Sequence, residues 1–151
     1  MTRQALDRVQ LGGESWQLLS WEGEPHWYTY PVVLETMGMS TDNYRGRLDT
    51  YELVRGELFI RSTYAQLSGE LPALPPNVTI ESRDGRDIRL AYRDVRIPLT
   101  GRLELARVYD LDMRLDLEAG RVTYAGVKTG YLARRRLKKL LPGAKVGRDL
   151  G

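Results

Sequence analysis

The chain has 151 residues, of which 42% are hydrophobic and 28% charged, with 23 basic and 20 acidic residues and a formal net charge of +3. These proportions fit one globular domain over residues 1–151 and exclude a disordered or low-complexity chain. Cysteine is absent, which excludes a disulfide framework, a thiol nucleophile and thiolate metal sites.

The first residues, MTRQALDRVQLGG, carry Arg3, Asp7 and Arg8 and contain no continuous apolar run. They lack the core of a signal peptide, and no later stretch approaches the roughly 20 apolar residues of a transmembrane helix. The expected compartment is the cytoplasm. Charge is uneven along the chain: eight basic residues and no acid lie between Lys128 and Arg148, leaving residues 1–127 with a formal net charge of −4. A mildly acidic body with a basic end suits an acidic partner or a fold-back contact.

Residues 14–21 read as a strand with both faces partly covered, Trp16, Leu18 and Ser20 opposing Gln17, Leu19 and Trp21. Pro25 and Pro31 interrupt the next segment, in which Val32 to Leu34 suit either a short strand or a turn. Residues 47–54 and 57–63 form a predicted hairpin, with Arg55-Gly56 as its turn. Apolar residues fall on both parities of this hairpin, which favours two-layer or barrel packing over a one-sided sheet. LPALPPN, residues 71–77, is a loop, because its prolines remove amide donors. Strands at 78–81 and 86–92 flank Asp84-Gly85, a turn signal.

Residues 102–109 and 111–117 form a further pair. The second alternates Leu111, Met113, Leu115 and Leu117 with Asp112, Arg114 and Asp116, so the charged set is expected on the wet face. Ala119-Gly120 leads into a strand at 121–127. The period then changes: a basic amphipathic helix is expected over 130–141, capped by Thr129 and stopped by Pro142-Gly143, with Ala133, Leu137, Leu140 and Leu141 on its apolar side. The expected fold is mainly β, a compact antiparallel sandwich or barrel-like domain with a short C-terminal helix.

The segment TDNYRGRLDTYELVRGELFI, residues 41–60, combines Tyr44-Arg45-Gly46, Tyr51-Glu52, Gly56 and Leu58-Phe59-Ile60. It resembles an uncharacterised bacterial family with an aromatic-Arg-Gly motif, an aromatic-acidic strand, a glycine turn and an apolar strand. The resemblance implies a shared hairpin architecture and no activity.

Tyr44, Arg45, Arg47, Asp49, Tyr51 and Glu52 suit a polar recognition patch, since arginine makes bidentate contacts to carboxylates and tyrosine adds apolar area with a hydroxyl. The competing expectation is that they pack and pair locally. Trp16, Trp21, His26, Trp27, Tyr28 and Tyr30 either frame a groove or close one end of the core, and Trp27 and Tyr28 are the candidate partner contacts among them. Arg134, Arg135 and Lys138, with Arg136 and Lys139, form a cationic helix face that either stays solvated or meets a protein, a nucleic acid or a membrane surface. No nucleophile elbow, phosphate loop or metal-ligand spacing occurs, so no cofactor, metal or catalytic residue is assigned. The favoured function is a noncatalytic peptide- or protein-binding domain, with self-association through an open sheet edge as a further expectation. A nucleic-acid-associated protein using the basic helix is the second reading, and an enzyme with a spatially assembled site is the third.

Overall fold

The computed structural model describes residues 7–27, 29–37, 46–108, 110–128, 134–148 and 150. Ten strands and one helix are assigned among them: β1 (Arg8–Leu11), β2 (Glu14–Glu24), β3 (Arg47–Val54), β4 (Glu57–Gln66), β5 (Val78–Asp84), β6 (Asp87–Arg96), β7 (Thr100–Ala106), β8 (Met113–Glu118), β9 (Arg121–Val127), α1 (Arg134–Leu140) and β10 (Lys145–Gly147). The strands form one sheet in the order β10-β9-β8-β7-β2-β1-β3-β4-β6-β5. A pairing of β4 with β9, at Glu57 and Arg121, closes seven of them into a barrel. Leu58 donates its backbone N–H to Gly120 at 2.9 Å and Val122 donates to Gly56 at 2.8 Å across this seam.

β4 is the fork of the architecture. One edge pairs with β3; the other pairs first with β9 and then with β6, so β6 and β5 leave the barrel as a wing. The expected barrel-like β fold is therefore observed. It is mixed rather than wholly antiparallel, because β1 pairs with β3, and β10 with β9, in parallel.

Local chemistry makes the hairpins. Arg55 and Gly56 have φ of 51° and 79°, and Ala119 and Gly120 have φ of 50° and 85°. Paired positive φ values match the right-handed twist of the flanking strands. Two bulges explain why apolar residues change parity. On β4, Thr50 pairs with Ser62 and Tyr51 with Ile60, so Arg61 is the extra residue. The inward set passes from Leu58 and Ile60 to Thr63 and Ala65. On β2, the register shift between Leu18 and Ser20 lets Trp16, Leu18 and then Trp21 pack on the core.

Val9, Leu11, Trp16, Tyr51, Leu58, Ile60, Leu103, Leu105, Met113, Leu115 and Val122 belong to one buried cluster. Fully burying each large apolar side chain is worth about 1.5–3 kcal/mol, so this cluster is the main source of stability. Residues 32–34 form no strand; Val32 and Leu34 are nevertheless buried, and Thr36 bridges to Leu67. In α1, Leu137 is buried, as is Leu141 just after its end, and Leu140 lies over the Gly12 turn. The predicted cap Thr129 and the first residues of the predicted helix, through Ala133, lie outside the described residues. No described helix is long and apolar enough to cross a membrane.

Candidate recognition surface

Inside the barrel, the inward face of β3 carries Arg47, Asp49 and Tyr51. The Arg47 Nε donates to both Asp49 oxygens, at 3.0 and 3.1 Å, and its Nη1 donates to the Val32 carbonyl at 2.7 Å. Thr63 donates to Asp49 Oδ1 at 2.6 Å and lies 2.6 Å from the Tyr92 hydroxyl. The Asp7 carboxylate accepts the Asp49 backbone N–H at 2.8 Å, and Tyr51 donates to the Trp27 carbonyl at 3.2 Å. Burial alone would lower the Arg47 pKa, but Asp49, with Tyr92 and Tyr51, outweighs it and raises the value above that of free arginine. Burial pushes the Tyr92 phenol up, against the lowering effects of its Thr63 hydrogen bond and of Arg47.

This geometry divides the sequence-predicted patch. Arg47 and Tyr51 are buried with Asp49, whereas Glu52, one position on, faces outward and pairs with Arg61 at 2.6 Å. The expectation of one surface patch is corrected by strand parity, which sends neighbouring residues to opposite faces. Trp27 is half-buried; its backbone joins the interior network, and its ring lies 5.8 Å from that of the exposed His26. Trp21 packs on Tyr51 at 5.1 Å, donates to the Pro25 carbonyl and lies partly buried against the core cluster. Arg135 and Lys138 are exposed on α1. Tyr28, Tyr44 and Arg45 lie outside the described residues, as does the side chain of Arg134. Asp112 is also corrected: it is buried just before β8, where its carboxylate accepts the Arg107 backbone N–H at 2.9 Å.

On the outer surface, arginines repeatedly meet carboxylates across strands. Arg102 pairs with Asp116, Arg107 with Glu14 and Arg114 with Glu104, while Glu57 receives both Arg96 and Arg121. A different arrangement lines a cleft of about 260 Å³ bounded by Arg8, Leu48, Asp49, Thr50, Tyr64 and Arg89. Strand register assembles it: Arg8 stands opposite Thr50, Leu48 opposite Tyr64, and Tyr64 opposite Arg89. The Asp49 carboxylate is turned inward onto Arg47, with its side chain fully buried. Arg8 and Arg89 have no carboxylate partner among the described residues.

No family model, curated protein or solved structure matches the chain. The hairpin resemblance therefore transfers no site, and the functional reading rests on geometry.

Both guanidiniums of the cleft are held in place. Arg8 donates through Nε to Ser15 Oγ at 2.5 Å and through Nη2 to the Ser15 carbonyl at 3.3 Å, which leaves Nη1 available to a ligand. Arg89 lies over the Tyr64 ring at 5.7 Å. The sequence signal for this site was the polar outward parity of four strands, but β1 is only four residues long and its parallel pairing with β3 leaves no local signature. Among the described residues, no three His, Asp or Glu side chains gather as a metal site.

Proposed function

We propose that the chain is a noncatalytic binding domain that recognises a peptide or protein partner on the outer face of β1, β3, β4 and β6. The observation that carries this reading is the cleft whose two arginines have no carboxylate partner among the described residues, on a barrel surface where arginine-carboxylate pairing recurs. A prepositioned guanidinium loses less conformational freedom on binding than a free one, which favours recognition. The apolar flank from Leu48 and Tyr64 and the hydroxyl of Thr50 suit a chain with mixed side chains and backbone polar groups. The inward acids, by contrast, are committed to the core network, which disfavours a catalytic role for them.

Backbone amide NMR with a small peptide library tests the reading. Peptide-dependent shifts should centre on Leu48, Thr50, Tyr64 and Arg89. Shifts confined to α1, or none with any peptide, would overturn it. A nucleic-acid-associated function is the second reading, favoured by the exposed Arg135, Lys138 and Lys139 of α1, which have no acidic partner among the described residues. It predicts oligonucleotide binding that weakens with salt and with neutralisation of those three residues.

A further inference from the structure

We infer that the cleft between Arg8 and Arg89 selects an extended acidic peptide segment, engaging one ligand carboxylate at each guanidinium. This deepens the peptide-binding reading and rests on it. β1 and β6 are separated by β3 and β4. Three inter-strand steps of about 4.8 Å, with Arg89 two residues along β6 from the Ala91 that shares a row with Arg8, place the two arginine-bearing backbones about 16 Å apart. An extended chain rises about 3.4 Å per residue, so side chains at positions i and i+4 leave the same face about 14 Å apart, and the long arginine side chains span the remaining difference. Two acidic residues four apart therefore match the two ends of the cleft.

The surface between those ends suits a peptide backbone. Arg8, Thr50, Ser62, Ala91 and Thr79 form one continuous outward row through successive strand pairings. Thr50, Ser62 and Ala91 are small and partly buried, giving a low floor beside the taller Leu48, Tyr64 and Arg89. The Thr50 and Ser62 hydroxyls make no side-chain hydrogen bond among the described residues and are free to meet peptide amides and carbonyls. Nucleic acid fits less well, because base stacking needs an open aromatic face, and the Tyr64 ring is already covered by Arg89. A single compact phosphate would need the guanidiniums to converge, whereas Arg8 is tied to Ser15 on β2, on the side of β1 away from β3, and Arg89 lies over Tyr64 on β4.

Fluorescence anisotropy of the full chain with a labelled hexapeptide amide, carrying aspartates four apart in an alanine-threonine background, tests the inference. The asparagine counterpart, an oligothymidylate and inorganic phosphate serve as comparison probes. The aspartate peptide is expected to bind, the asparagine peptide more weakly, and Arg8→Gln and Arg89→Gln each to weaken binding about fivefold. Arg121→Gln, at a paired arginine outside the cleft, should leave binding unchanged. An Arg8→Glu, Arg89→Glu double variant should gain binding to the corresponding lysine peptide, with thermal melting used to verify its fold. Equal binding of aspartate and asparagine peptides overturns the inference while leaving peptide binding intact. Binding of no peptide overturns both. Insensitivity of aspartate binding to both arginine variants, or displacement of that peptide by oligothymidylate or phosphate at lower concentration than by unlabelled peptide, also overturns the inference.

Discussion

Replacing Asp49 with alanine should be among the most damaging single changes in the barrel. Its carboxylate receives the Arg47 Nε and the Thr63 hydroxyl, and the Arg47 and Asp49 side chains are 3% and 0% exposed. Truncation removes the carboxylate that the buried guanidinium faces, and removing one member of a buried pair costs about 3–5 kcal/mol. Against a total stability of about 5–15 kcal/mol, that is a large fraction. For a domain of this size it corresponds to a fall in Tm of roughly 6–20 °C. Urea unfolding followed by tryptophan fluorescence measures it, with an unchanged slope showing that native compactness is preserved. An Arg47→Leu, Asp49→Leu double variant should be less destabilised than Asp49→Ala, because both members of the buried ion pair are removed together. A loss below about 1 kcal/mol for Asp49→Ala, or a double variant as unstable as the two single losses combined, would refute the reasoning.

Tyr92 gives the fold an alkaline limit: its phenol pKa is raised on folding, so its contribution is complete below the unfolded value of about 10 and is lost as pH rises through the folded value. Tyr92→Phe should flatten the alkaline fall in the urea midpoint relative to the unsubstituted chain. Gly101→Ala should lower stability by about 1–3 kcal/mol by thermal melting, because Gly101 pairs with Gly23 and an added Cβ would overlap the Glu22 carbonyl. Ala119→Asn should raise stability by up to about 1 kcal/mol, since exposed Ala119 has φ of 50° and asparagine accepts that region more readily.

The sheet was legible where alternation was clean and turns were marked. β9 was anticipated at its observed bounds, and β8 was shifted only at its ends, because Met113, Leu115 and Leu117 keep one parity inward. β3 shows the limit of that logic. Its two parities were evident, but Arg47, Asp49 and Tyr51 have the look of an outward set. Their burial depends on partners supplied by Val32, Thr63 and Tyr92, distant in sequence. In the aromatic group, Trp21 packs against Tyr51 and the core cluster. The cleft was not anticipated because its wall at Arg8 arrives through a strand too short to show a period, while bulges on β2 and β4 erase simple parity elsewhere.

The cleft and the core are consequently linked through register. Val9 and Leu11 are buried inside the barrel, while Arg8 and Gln10 point outward. Sliding β1 by one residue against β3 would exchange these faces, driving an arginine and a glutamine into apolar surroundings and exposing both aliphatic side chains. The same slip would remove Arg8 from its place opposite Thr50 and break its contacts with Ser15. Burial of two aliphatic residues thus selects where a surface cation stands. The parallel β1–β3 pairing is therefore a positioning element of the proposed site, although its inward side chains never reach the ligand.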